Sequence, residues 1–172
     1  MLRFKILLFL LFLFFNLSAQ VNTSNISIVR DKWGVPHIYA KTDKEAAYGL
    51  AWAHSEDDFK TIQKIFLPAK GLLGKLEGSG GAGLDYAVHL LRSRQVADRE
   101  LKNLSPGGLN VIYGYLEGLN AYAKKYPDEV LIKKSFPLSI YDYLTGLNLM
   151  LHLFSDTGDV IGQLFSNRIE PL

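Results

Sequence analysis

A Gly-Val-Pro step at residues 34–36 is the feature that most constrains the fold of this chain. Short runs with apolar residues lie on either side of it, one around Val29 and one around Ile38. Glycine and proline mark turns, and the residue before a proline favours extended backbone. Because two extended runs joined by a short turn are typical of a β-hairpin, the sequence predicts a hairpin here.

A helix is predicted directly after this hairpin. Residues 42–45, Thr-Asp-Lys-Glu, match a capping box, in which the threonine hydroxyl accepts a backbone N–H and the glutamate reaches back. Apolar and small residues then recur near helical spacing, with His54 among them. The residues alone therefore predict a hairpin followed by an amphipathic helix.

Three more helices are predicted towards the C-terminus. They cover residues 85–101, residues 105–126 with a proline in the first turn, and residues 139–154 with a serine cap. The glycine-rich residues 78–83 predict a flexible loop before them. The predicted fold class is α+β, a mainly helical chain with an N-terminal β-hairpin.

The first 19 residues have the pattern of an export signal. Arg3 and Lys5 precede an unbroken apolar run over residues 6–15, and small residues at positions 18–19 precede a cleavage point. This run is shorter than the ~20 apolar residues that a membrane-spanning helix needs. We therefore expect a signal peptide over residues 1–19 and a periplasmic or secreted remainder, residues 20–172, without a stable membrane anchor.

Charge and cysteine content argue against several kinds of site in the exported part. Removing the first 19 residues removes two of the 19 basic residues and none of the 17 acidic ones, which leaves the remainder formally neutral. A neutral chain lacks the net positive charge typical of a protein that binds nucleic acid or an acidic membrane surface. The sequence has no cysteine, so it supplies no disulfide, thiol nucleophile or thiolate zinc ligand.

Two patterns suggest sites but lack the context that such sites need. Residues 78–83 spell GxGxxG, yet they follow a poor strand, and no acidic residue ends a later strand as a dinucleotide site requires. His54 shares a helix face only with Asp57 or Asp58, and a single pair does not make a metal site. No Gly-x-Ser-x-Gly nucleophile motif occurs. We therefore predict no organic cofactor.

Two segments carry a resemblance to a known family. Residues 28–38 read Ile-Val-Arg-Asp-Lys-Trp-Gly-Val-Pro-His-Ile, and residues 48–57 read Tyr-Gly-Leu-Ala-Trp-Ala-His-Ser-Glu-Asp. They resemble the start of the mature α chain in the penicillin acylase (penicillin amidase) family of N-terminal nucleophile hydrolases. The resemblance implies a signal peptide followed by an α-chain-like fragment, residues 20–172, of a four-layer αββα fold. Asp57 falls on an aspartate that we interpret as structural.

The same resemblance implies an activity, the hydrolysis of a linear amide bond in N-acylated small molecules of the penicillin or acyl-homoserine lactone type. In the family the nucleophile is the first residue of a β chain, and its own α-amine acts as the base. The oxyanion donors also lie on that chain. The resemblance thus implies a β chain as partner and no catalytic residue in this chain, which is expected to be inactive alone.

A third segment, residues 150–159, is similar to the end of the family's α chain. There a helical methionine and a phenylalanine four residues later line the acyl pocket, which corresponds to Met150 and Phe154 here. This spacing places both on one helix face, where they can form a pocket wall or simply fill a core. The family's calcium-binding acid falls within one position of Asp159, which makes calcium a candidate cofactor and Asp159 its candidate ligand.

Two other interpretations remain open. One is a secreted helical binding module, and the other is a truncated product without activity. Leu153 stands where penicillin-cleaving members can carry an arginine. The acyl group, the leaving group and the identity of the nucleophile, serine or cysteine, are therefore not determined by the sequence.

Overall fold

The computed structural model describes residues 20–166, so the expected signal peptide lies outside the described residues. The described part is mainly helical, with one antiparallel hairpin near its start, as predicted. The strands are β1 (Ser27–Arg30) and β2 (Pro36–Tyr39). The helices are α1 (Asp43–Phe66), α2 (Leu73–Glu77), α3 (Ser79–Leu90), α4 (Ser93–Glu100), α5 (Pro106–Lys125), α6 (Ile140–Leu153) and α7 (Thr157–Ser166).

The hairpin rests on α1 through a glycine. Ile28 of β1 pairs with Ile38 of β2, and both side chains are half-buried. A Cβ atom at Gly49 of α1 would lie 2.7 Å from a methyl group of Ile38 and 3.0 Å from one of Ile26. A side chain at this position would therefore push the hairpin off the helix.

Helices α1 and α5 form the central pair of the core. A Cβ atom at Gly118 of α5 would lie 2.6 Å from the carbonyl oxygen of Tyr48 and 2.8 Å from the Cβ atom of Ala51. The backbones of the two helices therefore approach more closely than any larger residue allows. The main core cluster is built at this crossing and against the start of α6, from Ala51, Phe66, Leu116, Leu119, Leu138 and Ile140.

The predicted helix starts are confirmed at three places. The Ser105 hydroxyl accepts the backbone N–H of Gly108, and the Ser139 hydroxyl accepts that of Asp142, whose carboxylate accepts the Ser139 N–H in return. At α1 the Thr42 hydroxyl accepts the Glu45 N–H. The Glu45 carboxylate accepts the N–H of Lys41 and the side-chain amide of Asn25, so it ties the segment before the hairpin to α1.

The glycine-rich loop predicted at residues 78–83 is wrong, because α3 begins at Ser79. A Cβ atom at Gly81 would lie 2.5 Å from the carbonyl oxygen of Leu73, so this glycine allows α3 to pack closely on α2. Asp85 of α3 accepts the N–H groups of Leu73 and Gly74 and caps the start of α2. Gly81 therefore serves helix packing, whereas no atom lies within 4 Å of a Cβ atom added at Gly78 or Gly80.

The single helix predicted over residues 85–101 is also wrong. The chain turns between α3 and α4 at Arg92, whose φ of 52° lies in the left-handed region. Ser93 follows fully buried at the start of α4. None of the helices described between residues 20 and 166 is both long enough and apolar enough to cross a membrane.

Candidate functional site

An arginine joins the two motif segments of the N-terminal region. Arg30 at the end of β1 places one guanidinium nitrogen 2.8 Å from a carboxylate oxygen of Asp57 and 3.3 Å from one of Glu56. Its other terminal nitrogen donates to the carbonyl oxygen of Gly34 at 2.9 Å. Hydrogen bonds to Asp57 and then Glu56 raise the pKa of Arg30, so its charge is secured. The arginine thus binds the hairpin turn to α1.

An aspartate organises the hairpin turn itself. The Asp31 carboxylate accepts the backbone N–H groups of Trp33 at 2.8 Å and Val35 at 3.0 Å, and lies 3.4 Å from Nε2 of His37. Desolvation opposes ionisation of Asp31, but these hydrogen bonds outweigh it and lower the pKa of the carboxyl group. Asp31 and His37 therefore serve the turn.

Two further polar side chains of this region also have partners within the chain. Glu56 accepts the indole N–H of Trp52 at 2.9 Å. Nδ1 of His54 lies 3.2 Å from the hydroxyl oxygen of Tyr115 on α5, and burial raises the pKa of Tyr115 to about 12. Asp31 faces His37 as part of the hairpin turn, and the partner of His54 is a tyrosine hydroxyl rather than an acid. The motif residues therefore hold the hairpin turn against α1.

The C-terminal segment with the expected pocket residues has a different character. Helix α6 ends as predicted, with the Phe154 N–H donating to the carbonyl oxygen of Met150 at 3.1 Å and the Ser155 hydroxyl donating to that of His152 at 2.8 Å. A Cβ atom at Gly158 would lie 2.5 Å from the Leu153 carbonyl oxygen, so a glycine lets α7 start directly against the end of α6.

Met150 and Phe154 lie one turn apart at this end of α6 and belong to an exposed apolar stripe. Phe154 is 84% exposed and Leu151 is 61% exposed, while Met150 is half-buried. Leu147 lies a turn earlier on the same side, where it is also exposed. We call these four residues the α6 stripe. In the residues described here, it is a hydrophobic surface without a cover.

A shallow groove runs beside this stripe, between α4 and α6. Its volume is about 140 Å³. Met150 and Phe154 do not line it. It is lined by Val96, Ala97, Glu100, Leu104, Leu144, Leu147, Asn148 and Leu151. The sequence analysis missed this groove. Leucines at three- and four-residue steps were its only signal, and such a pattern does not say which face stays uncovered.

Asp159 lies in the first turn of α7, and its side chain is exposed. Calcium takes six to eight oxygen ligands in proteins. Within residues 20–166, no group of three or more His, Cys, Asp or Glu side chains is arranged to hold a metal ion. The described residues therefore do not fit a complete calcium site, and Asp159 fits only as one ligand among others.

Comparison with known sequences gives a consistent family. Residues 25–158 match the profile of the family described as Penicillin amidase. The acyl-homoserine lactone acylase QuiP of Pseudomonas aeruginosa is 30% identical over 106 residues, which cover 62% of this chain and 12% of that protein. Penicillin G acylase of Escherichia coli is 27% identical over 120 residues, which cover 69% of this chain and 14% of that protein. The chain spans only a small part of the length of these relatives.

A solved structure shares the fold. It is the thermostable penicillin G acylase from Alcaligenes faecalis, and it matches with a TM-score of 0.61 at 20% sequence identity. The match covers 86% of this chain and 93% of the solved chain. The matched chain and this one are therefore similar in length.

Proposed function

The chain belongs to the penicillin amidase family, and we propose that it is the α-chain-like portion of an exported enzyme that hydrolyses the amide bond of N-acylated small molecules. The observation that carries the proposal is the match of residues 25–158 to the family, although the chain spans 12% and 14% of two full-length relatives. The match to a solved penicillin G acylase chain supports an α-chain-like fold for this portion.

In this proposal, a partner chain carries out the amide hydrolysis. A β chain with an N-terminal nucleophile attacks the acyl carbonyl, the amide C–N bond breaks, and water then releases the acid. The polar motif residues of this chain support such a division, because Arg30, Asp31 and Asp57 bind the hairpin turn and α1. We assign no catalytic residue to this chain.

The contribution of this chain to substrate binding is the acyl pocket, with Met150 and Phe154 on one wall. Acyl groups of penicillins and of acyl-homoserine lactones are apolar, and small-molecule sites are lined mainly by apolar and aromatic side chains. The exposure of Phe154, 84%, supports this role, because a phenyl ring that filled the core of this chain would be buried. A bound acyl group and the partner chain would cover it.

Calcium is proposed at Asp159 only as a shared site. Asp159 contributes one carboxylate, and the remaining oxygen ligands come from residues outside the described part or from the partner. Asp159→Asn should then weaken calcium binding to the two-chain enzyme in a calorimetric titration. Equal calcium affinity in the variant would remove Asp159 from the site.

Export is proposed from the apolar run near the N-terminus. Cleavage after Ala19 would give a mature chain that begins at Gln20. N-terminal sequencing of protein from the periplasmic fraction tests this, and an exported chain that begins at Met1 would contradict it.

The main experiment separates the scaffold from the chemistry. Residues 20–172 are purified alone and co-expressed with a family β chain, and both samples are assayed on acyl-anilides of several chain lengths. We expect no turnover by the chain alone and turnover by the pair that is lost when the β-chain nucleophile is changed to alanine. Turnover by the isolated chain, or an inert pair with the two chains bound, would contradict the proposal.

A further inference from the structure

A groove with an apolar floor lies between the end of α5 and the loop that leads to α6, residues 126–139. Its volume is about 630 Å³, and small-molecule sites typically measure ~300–1,000 Å³. Ala123 of α5 and Val130 and Phe136 of the loop supply apolar lining. They belong to a core cluster around Phe59, whose ring centroid lies 5.4 Å from that of Phe136. The core therefore fixes the floor of the groove.

Two side-chain amides hold the loop in place. Gln63 of α1, which is 2% exposed, accepts the N–H of Leu131 at 2.9 Å and donates to the carbonyl oxygen of Glu129 at 3.0 Å. Asn120 of α5 accepts the N–H of Leu138 at 2.7 Å and donates to its carbonyl oxygen at 3.0 Å. Because the loop is bound at both ends, the groove is formed before any ligand arrives, which lowers the entropic cost of binding.

The charged residues that line the groove are mostly basic. They are Lys124, Lys133, Lys134 and Asp128, and all four are exposed. In the part of the chain that the structure describes, none of the three ammonium groups forms an ion pair or a hydrogen bond. Three positive charges beside one negative charge favour an anionic ligand.

The backbone places two of these lysines side by side. Lys134 has a φ of 72°, in the left-handed region that residues other than glycine rarely adopt. Such conformations cluster at binding sites. The next residue, Ser135, is 1% exposed, and its N–H donates to the carbonyl oxygen of Ile132 at 3.0 Å. The turn therefore keeps Lys133 and Lys134 at the groove by a strained backbone that ends in the core.

We propose that this groove, which we call the lysine groove, binds a small amphipathic carboxylate. The apolar chain of the ligand lies on Val130 and Phe136, and its carboxylate accepts charge-assisted hydrogen bonds from Lys133 and Lys134. An inorganic anion would leave the apolar floor uncovered, whereas an uncharged apolar molecule would leave the ammonium groups without a counter-ion. The lysine groove shares no residue with the α6 stripe, so this inference goes beyond the proposed function and does not depend on it.

The ligand class is tested with octanoate, octanol and acetate, titrated calorimetrically into the full chain. Octanol has the chain without the charge, and acetate has the charge without the chain. We expect octanoate to bind at least about tenfold more tightly than either, with an affinity that falls as the salt concentration rises. Equal binding of octanol and octanoate would overturn the proposal, because the charge would then not be recognised.

Exposed lysines allow a matched set of variants. The double variant Lys133→Gln/Lys134→Gln should weaken octanoate binding about 5- to 20-fold, and Asp128→Asn should strengthen it about 2- to 5-fold. Lys102→Gln, at an exposed lysine between α4 and α5 that does not line the groove, should change it less than about twofold. Thermal melts control for folding. Equal affinities in the double variant and in Lys102→Gln would contradict the site.

The α6 stripe is the competing apolar surface for octanoate. Phe154→Ala should leave the lysine-dependent binding unchanged, and this binding should persist when a family β chain is present. Loss of binding in Phe154→Ala without an effect of the lysine variants would place the ligand on the α6 stripe and overturn the inference. Loss of the lysine-dependent site on addition of the β chain would show the groove to be covered by the partner, which also overturns it. An inert pair of chains that still binds octanoate at the lysine groove would contradict the proposed function alone.

Discussion

Two regions of this molecule use the same kinds of residue in opposite ways. The hairpin–α1 unit, residues 27–66, pairs Arg30 with Asp57 and buries Phe59, which is 3% exposed, although Trp33 and Tyr39 of the hairpin are exposed. The α6–α7 corner, residues 147–163, leaves Phe154 84% exposed and Leu151 61% exposed. The strongest family motifs lie in the first region, while the residues expected to contact substrate lie in the second.

This contrast separates residues that maintain the fold from residues that we propose contact a ligand. A motif that binds a turn to a helix is constrained by geometry, so its arginine, aspartates and glycine are recognisable in sequence. An uncovered apolar stripe has no such local constraint, because its partner lies elsewhere. Sequence similarity in this chain therefore identifies the family more readily than it identifies the substrate.

The largest expected effect is the difference in unfolding free energy between alanine variants of Phe59 and Phe154. Phe59 packs with its ring centroid 5.0 Å from that of Tyr122 and 5.4 Å from that of Phe136. Phe59→Ala should lower the free energy of unfolding by about 3–5 kcal/mol, since it leaves a cavity in the core. Phe154→Ala should change it by less than about 0.5 kcal/mol, as exposed substitutions usually do. Urea titration of both variants measures the difference, and similar losses would erase the contrast between the regions.

A pair of glycine-to-alanine changes should act in opposite directions. At Gly118 the new methyl group would meet the Tyr48 carbonyl oxygen at 2.6 Å, which should cost about 1–3 kcal/mol of unfolding free energy. At Gly162 of α7 no atom lies within 4 Å of the added Cβ. Alanine there should gain about 0.5–1 kcal/mol, because it restricts the unfolded chain. Thermal unfolding of the two variants measures the sign of each stability change. Destabilisation by Gly162→Ala would mean that the α6–α7 corner is packed more tightly than described.

The smallest expected effect concerns acid stability. Desolvation raises the pKa of Asp31, and the hydrogen bonds of the hairpin turn lower it. The net pKa lies below the ordinary value of 3.8. The ionised carboxylate therefore stabilises the fold at pH values above 3.8, and this contribution is lost as the pH falls through the lowered pKa. Asp31→Asn should flatten the loss of stability below pH ~4. The reverse result in denaturation at several pH values would contradict the turn assignment.

Local rules predicted much of the fold. The hairpin, the Ser105 and Ser139 caps and the end of α6 at the Ser-Asp turn follow from turn and capping chemistry within a few residues. The two errors, at residues 78–83 and 85–101, have tertiary causes. The sequence was interpreted as flexible at Gly81, which the close packing on Leu73 requires to be a glycine. The break at Arg92 accompanies the burial of Ser93. A single sequence does not carry such packing information.

The helical spacing of Met150 and Phe154 was predictable from the sequence, but their surroundings were not. The spacing of Met150 and Phe154 correctly placed them one turn apart on α6. That Phe154 is exposed rather than buried depends on which helices pack against α6, and these are distant in sequence. The ion pair between Arg30 and Asp57 likewise joins residues of two segments that only the fold brings together.

The acyl-length preference of the two-chain enzyme tests the central claim, that Met150 and Phe154 of the α6 stripe meet the substrate. The ratio of kcat/KM between a long and a short acyl substrate is compared for the wild type, Phe154→Ala, Met150→Ala and Val160→Ala, the last an exposed apolar control on α7. Because this ratio reports differential binding of the transition state, Phe154→Ala should shift it about tenfold or more towards the longer acyl group, and Val160→Ala should not. An unchanged ratio in both Phe154→Ala and Met150→Ala would contradict the claim.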